Sequence, residues 1–128
     1  LDINLRAPFQ LISLVVPIMK VQKSGHIINL SSRAGKTARA AAGGYAASKF
    51  GLVGLNEALY KEVSQFGIRV TALCPGFVDT EMGSVSGLSA KEMISQDDIV
   101  KTVRWLVSLS KAVCIQDVYF ESIKQVDG

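Results

Sequence analysis

Two short apolar runs restrict the possible folds of this chain more than any other feature of its sequence. Residues 26–30 (HIINL) and residues 68–73 (IRVTAL) are rich in Ile and Val, with Arg69 as an exception. Longer stretches with helical periodicity precede each run, at residues 3–22 and 45–66. Apolar strands that alternate with helices are typical of a parallel sheet with both faces covered. The sequence therefore predicts an α/β fold.

Prolines and a glycine affect where the two long helical patterns begin, continue and end. In residues 3–22, apolar side chains recur at helical intervals, but two prolines each remove a backbone donor. Pro8 is compatible with a first helical turn, whereas Pro17 counts against an uninterrupted helix. Residues 45–66 are followed by Gly67, as is common after a helix C-terminus.

The last third of the chain continues the alternation. A helix is predicted from Gln96, because acidic residues follow it where the helix dipole favours them, and Trp105 is expected to be a packing residue. Residues 113–120 are predicted to form a third strand. We expect three parallel strands with helices on both faces and right-handed crossovers, the C-terminal part of a Rossmann-like doubly wound sheet in three layers.

Composition narrows the classes of function. Hydrophobic residues make up 48% and charged residues 20% of 128, which fits one globular domain. The net charge of +3, without a Lys/Arg run, gives no indication of nucleic-acid binding. The single histidine, His26, has no partner motif, so no metal site is predicted. Cys74 and Cys114 are expected to be buried free thiols rather than a disulfide.

Membrane and targeting signals are not apparent in these residues. The longest apolar stretch, residues 11–19, is too short to span a bilayer. No basic segment precedes an apolar one, as it does in a signal peptide. We therefore expect no membrane association and a cytoplasmic location by default, although a targeting segment could precede Leu1.

Tyr45 and Lys49 are the first candidate functional pair. Four residues apart on a helix, they share one face, with Cβ atoms about 5–6 Å apart. A nearby ammonium favours the phenolate and lowers the pKa of the tyrosine, which can then exchange a proton with a carbonyl or alcohol oxygen. The same spacing also occurs in ordinary helices, where the tyrosine is half-buried and the lysine is solvated.

Polar residues follow the ends of both predicted strands. Ser31 and Ser32 come after the first strand, and residues 75–80 (PGFVDT) follow the second. Ligands bind at the carboxyl ends of strands in open parallel sheets, where a serine hydroxyl can bond a reacting oxygen. The alternatives are a simple strand-to-loop transition and a strand-terminating turn. Asn4, near the start of the first helix, is alternatively a helix cap or a buried amide.

Taken in chain order, these motifs resemble those of the classical short-chain dehydrogenase/reductase family. They are Asn4, the strand end at residues 28–32 (INLSS), Tyr45-x-x-x-Lys49 and Pro75-Gly76-x-Val78-x-Thr80, and the resemblance extends to about residue 120. It implies hydride transfer between NAD or NADP and a carbonyl or alcohol carbon of a small molecule.

The resemblance also implies a role for each matching residue. Tyr45 would be the acid or base, Lys49 would lower its pKa and hold the nicotinamide ribose, and Ser32 would polarise the substrate oxygen. Asn4 would order a proton-relay water. The segment from Pro75 and Gly76 would cover the nicotinamide, with backbone contacts at Val78 and a side-chain contact at Thr80.

The resemblance covers only part of a family member. No Gly-rich phosphate-binding turn follows a strand in the 128 residues, so we expect residues 1–128 to be a single partial Rossmann-like domain. The choice between NAD and NADP is not readable here. Ile115-Gln116 stand where the family typically has Thr-Gly. A homodimer or homotetramer is implied. The alternative is a truncated, non-catalytic fragment acting as a binding or oligomerisation module, with an exposed apolar edge at residues 27–30.

Overall fold

The structure is a computed structural model that describes residues 7–30, 43–76 and 89–123, with side chains for all of these except residues 43–50, 52 and 90. Helices and strands alternate along the chain. The elements are α1 (Ala7–Gln22), β1 (Gly25–Leu30), α2 (Gly43–Val63), β2 (Ile68–Pro75), α3 (Gln96–Ser108) and β3 (Asp117–Phe120), with short 3-10 turns at Ser64–Phe66 and Ala90–Glu92. Pro17 lies inside α1 without ending it.

The described strands form one parallel sheet in the order β1-β2-β3. The register pairs Ile27 with Val70 in one ladder and Ala72 with Asp117 in the other. Hence β2 is central, and every residue of it except Arg69 is buried. Among the described residues β1 has a strand on one side only, and its last residue, Leu30, is 58% exposed.

The third strand is shorter than the prediction of residues 113–120. Only Asp117–Phe120 form it, because the residues before it bond to β2 in other ways. The Ile115 carbonyl accepts a hydrogen bond from the Thr71 hydroxyl, and the Gln116 carbonyl accepts one from the Ala72 amide at 2.8 Å. The segment is thus fixed to the sheet without being a regular strand.

The main core lies between the sheet and the first two helices. Side chains alternate along β2, so Ile68 and Val70 face one side. They pack with apolar side chains of β1, α1 and α2, and the buried members of this cluster are Ile12, Ile27, Leu59, Val63, Ile68 and Val70. β-Branched residues suit strands of this kind because their restricted side chains pack well on a pleated surface.

The third helix supplies the opposite layer. Arg69 alternates with Ile68 and Val70, and its guanidinium donates to the Leu109 carbonyl at the end of α3, at 3.4 Å. Leu106 of this helix is 1% exposed. Trp105, which was expected to be a packing residue, is 51% exposed, because the neighbouring Leu106 occupies the inward position. The predicted three-layer α/β arrangement is confirmed.

Two further predictions, at Gly67 and at the cysteines, are resolved by the structure. Gly67 ends the helical region with a φ of 76°, in the left-handed conformation predicted for a C-terminal glycine. Cys74 and Cys114 are thiols that form no disulfide, as expected, although only Cys74 is fully buried. Within residues 7–30, 43–76 and 89–123, no helix has the length and apolar character needed to cross a membrane.

Candidate active site

The carboxyl ends of the three strands lie at one edge of the sheet. β1 ends at Leu30, which pairs with Leu73, and the ends of the other two strands, Pro75 and Phe120, pair with each other. Because all three strands are parallel, the chain leaves each of them at the same edge. Ser32 follows the end of β1 by two residues in the sequence and lies outside the described residues.

Tyr45 and Lys49 both belong to the first two turns of α2. The prediction of a helix at this pair is confirmed, and their spacing places both positions on one face of it. Their side chains are outside the described part, so the pair is located by its backbone alone.

The direction of α2 brings this pair to the same edge as the strand ends. Near its C-terminus, Val63 packs in the cluster that contains Ile68, the first residue of β2. Two turns earlier, Asn56 bonds to Asn29, one residue before β1 ends. The helix therefore runs antiparallel to the strands. Lys49 lies about 10 Å further along the axis, given the helical rise of about 1.5 Å per residue.

Pro75 and Gly76 close the central strand at this edge. Pro75 is buried, and the Gly76 amide donates to the Phe120 carbonyl at 3.1 Å, which ties the ends of β2 and β3 together. The N–H of Gly76 is thus engaged within the sheet. Val78 and Thr80, the other predicted contacts of a cofactor, lie outside the described residues, as does Asn4.

A cavity of about 250 Å³ lies beside the ends of β2 and β3. Ile94, Asp98, Glu121 and Ser122 are among its lining residues. Ile94 and Glu121 approach to within 3.9 Å of the place that a Cβ on Gly76 would occupy, so the cavity adjoins the end of the central strand.

Asp98 of α3 lines this cavity, and its carboxylate form is favoured by hydrogen bonds. Hydrogen bonds from the Ser95 hydroxyl, and then from the Ser95 amide, lower the pKa of Asp98 below its usual 3.8. No cluster of three or more His, Cys, Asp or Glu in the described ranges could hold a metal ion.

Two buried polar links were not foreseen from the sequence. Asn29 and Asn56 join β1 to α2, and Thr71 joins His26 to the segment before β3. The only signal for the first link is an asparagine within an otherwise apolar strand. A helix pattern gives no indication that Asn56 is its partner.

Comparisons with known proteins agree with this geometry. The family model described as short chain dehydrogenase matches residues 1–90. The short-chain dehydrogenase/reductase cdmF of Talaromyces verruculosus is 45% identical over 84 residues, which are 66% of this chain and 33% of that protein.

Solved structures are also similar over nearly the whole chain. A betaketoacyl-ACP reductase, FabG, of Bacteroides thetaiotaomicron has a TM-score of 0.83 and 45% identity, covering 96% of this chain and 52% of that one. A 4-hydroxyisoleucine dehydrogenase complexed with NADH and succinate has a TM-score of 0.83 and 29% identity, covering 94% and 55%.

This chain thus spans between 33% and 55% of the length of these three proteins. The family match extends over more than half of its residues, and the parallel sheet with its helices agrees with it. The chain belongs to the short-chain dehydrogenase family.

Proposed function

We propose that this chain is the C-terminal part of an oxidoreductase that interconverts a carbonyl and an alcohol by hydride transfer with NAD or NADP. The observation that carries the proposal is the location of Tyr45 and Lys49. They lie one turn apart on α2, beyond the carboxyl ends of parallel strands, in a member of the short-chain dehydrogenase family. That edge is where an open α/β sheet binds its ligands.

In this proposal four residues of the chain act on, or near, one reacting oxygen of the substrate. Tyr45 donates a proton to the oxygen during reduction and removes it during oxidation. Lys49 favours the phenolate and thereby lowers the pKa of Tyr45. Ser32 orients and polarises the same oxygen, and Asn4 orders a water for proton relay.

The residues present fit the nicotinamide end of such a cofactor. When bound, NAD or NADP supplies or accepts the hydride. The segment that begins with Pro75 and Gly76 leaves the central strand at the proposed site, and in this proposal Val78 and Thr80 would hold the carboxamide. The Gly-rich turn for the pyrophosphate is not among the 128 residues. One relative with this fold is complexed with NADH, which supports the cofactor class.

The proposed partners are a small carbonyl or alcohol substrate and further copies of the chain, as a homodimer or homotetramer, in the cytoplasm. The outer face of α1 supports association. Five large apolar side chains of this helix are at least half exposed, namely Phe9, Leu11, Leu14, Ile18 and Val21.

Substitution of the proposed acid tests the function. In the complete protein, Tyr45→Phe should lower the rate of NADH- or NADPH-dependent reduction of a panel of aldehydes and ketones by about 10²–10⁴-fold, the usual contribution of a general acid. Cofactor affinity, measured by fluorescence titration, should change little. Tyr60→Phe is the matched control, because Tyr60 lies on the same helix and packs against the core. Full activity of Tyr45→Phe would refute the proposal.

The alternative function is a binding or oligomerisation module without catalysis. The exposed apolar side chains of α1 would suit such a module. Titration of the purified 128-residue chain with NADH and NADPH distinguishes the two. A stable chain of 13.7 kDa that binds neither would favour the module.

A further inference from the structure

A chain of two side-chain amides connects three parts of the fold. Asn29 of β1 donates through Nδ2 to Oδ1 of Asn56 at 2.8 Å. Asn56 donates through its own Nδ2 to the Gln116 carbonyl at 3.3 Å. Asn56 is only 3% exposed, so these bonds are shielded from water. The central asparagine therefore joins α2 to β1 and to the segment that leads into β3.

The direction of both hydrogen bonds is determined. The backbone carbonyl of Gln116 can only accept, so Asn56 must present its NH2 group to that carbonyl. Its oxygen then faces Asn29, which must donate. Neither amide can be flipped without opposing two acceptors or two donors. Such a link specifies one orientation, whereas apolar contacts tolerate small slips of a helix.

The buried end of this link lies on the face of α2 that carries the proposed acid and its lysine. Positions 45, 49 and 56 are separated by four and seven residues, and at 100° per residue all three lie within about 40° of one another. Among the α2 side chains that the structure describes, Asn56, Leu59 and Val63 are buried, and Asn56 is the one nearest to Lys49.

The other end of the link lies next to the second proposed catalytic element. Asn29 is one residue before the end of β1 and three residues before Ser32. A hydrogen bond between Asn29 and Asn56 therefore connects the strand that delivers the serine to the helix that delivers the tyrosine and lysine.

We propose that Asn29 and Asn56 are positioning residues, which hold the Tyr45–Lys49 turn of α2 in register with the carboxyl end of β1. This inference rests on the proposed function, because it assigns to the pair the alignment of that catalytic set. A residue slip of α2 would turn positions 45 and 49 by about 100° away from the strand end. The amide pair prevents that slip at Asn56, the buried position closest to the site among the described side chains of α2.

The pKa of Tyr45 is the measurement that separates positioning from simple stability. It is followed in the complete protein by ¹³Cζ NMR of labelled tyrosine, with the Tyr45 signal assigned from its absence in Tyr45→Phe. No substrate is needed. In Asn56→Leu, the tyrosine should titrate closer to its ordinary value of about 10 than in the wild type, because the lysine is no longer aligned with it.

Three further variants make the test specific. Asn29→Leu removes the same Asn29–Asn56 hydrogen bond by changing the half-buried residue on β1. If Asn56→Leu does not fold, the Tyr45 pKa in Asn29→Leu tests the positioning role. The double variant should raise the pKa of Tyr45 no further than the stronger single variant, since both remove one interaction. Thr71→Val is the matched control. It removes a buried hydrogen bond on the opposite face of the sheet and should destabilise the protein without changing the Tyr45 titration.

The outcomes are distinguishable. A lowered wild-type pKa that is unchanged in both Asn56→Leu and Asn29→Leu overturns the positioning role and leaves the proposed function intact. A wild-type Tyr45 that titrates at about 10 contradicts the proposed function, and the positioning role with it. An equal rise in Thr71→Val shows a general loss of order and also overturns positioning.

Discussion

His26 Nε2 lies 2.8 Å from Thr71 Oγ1, across the first two strands of the sheet. The same hydroxyl donates its single proton to the Ile115 carbonyl at 2.7 Å, so it must accept from the imidazole. Neutral His26 therefore carries its proton on Nε2. Its Nδ1 is buried and has no hydrogen-bond partner in the part of the chain that the structure describes.

Protonation of His26 should destabilise the fold. Burial, and then the nearby positive charge of Arg69, lower the pKa of His26 below its usual 6.5. Between that usual value and the lower folded value, the unfolded chain binds more protons than the folded one, so the free energy of unfolding decreases as pH falls. Urea unfolding at a series of pH values from 8 to 5 should show stability lost progressively below about pH 6.5.

A glutamine at this position is the control for that pH dependence. His26→Gln retains an NH2 group that can donate to Thr71 but does not titrate. His26 is the single histidine of the chain, so the slope of stability between pH 7 and 5.5 should be smaller in the variant. Equal slopes in both proteins would show that another group is responsible.

Two glycines should respond to alanine in opposite directions. Gly67 has a φ of 76°, and a Cβ there would lie 2.8 Å from the Lys23 carbonyl oxygen. Gly67→Ala should therefore destabilise the chain, by about 1–2 kcal/mol from the left-handed conformation and further from the clash. Gly54 lies within α2, and among the described residues no atom outside the nearby backbone of that helix lies within 4 Å of such a Cβ, so Gly54→Ala should stabilise by about 0.5–1 kcal/mol.

Chemical denaturation of both glycine variants checks the prediction. The matched comparison removes the general effect of alanine on the unfolded chain, because both substitutions restrict it alike. A Gly67→Ala variant as stable as Gly54→Ala would contradict the strained conformation at the end of the helical region.

The order of elements could be predicted from the sequence because their signals are local. Apolar periodicity identified α1 and α2, and Gly67 indicated where the helical region ends. The length of β3 was not accessible in this way. Residues 113–116 are as apolar as a strand, but the carbonyl of Ile115 bonds to a side chain of β2, which is a tertiary contact.

The candidate catalytic residues could be predicted from the sequence, but the buried contacts beneath them could not. The spacing of Tyr45 and Lys49 places them on one face of any helix, and strand ends of a parallel sheet share an edge. The partner of Asn29 depends on how α2 lies along β1, and no spacing within one segment contains that information. Trp105 illustrates the same point, since the choice of Leu106 as the inward residue is made by packing.

The N-terminus of α3 should depend on Ser95. Its hydroxyl accepts from the Asp98 amide, and the Asp98 carboxylate accepts from the Ser95 amide, each at 3.0 Å. Ser95→Ala should lower the free energy of unfolding at pH 7 by about 1 kcal/mol, the usual effect of losing an N-cap.

The pKa of Asp98 should rise toward 3.8 in Ser95→Ala, since the Ser95 hydroxyl is the largest cause of its lowering. Because the folded pKa is lowered, the stabilisation is present above pH 3.8 and is lost as pH falls, and NMR titration of the carboxyl group would detect the change. Ser108→Ala, at the exposed opposite end of the helix, is the control and should change stability by less than about 0.5 kcal/mol. If the two alanine variants are equally stable, the capping interaction contributes nothing to the fold.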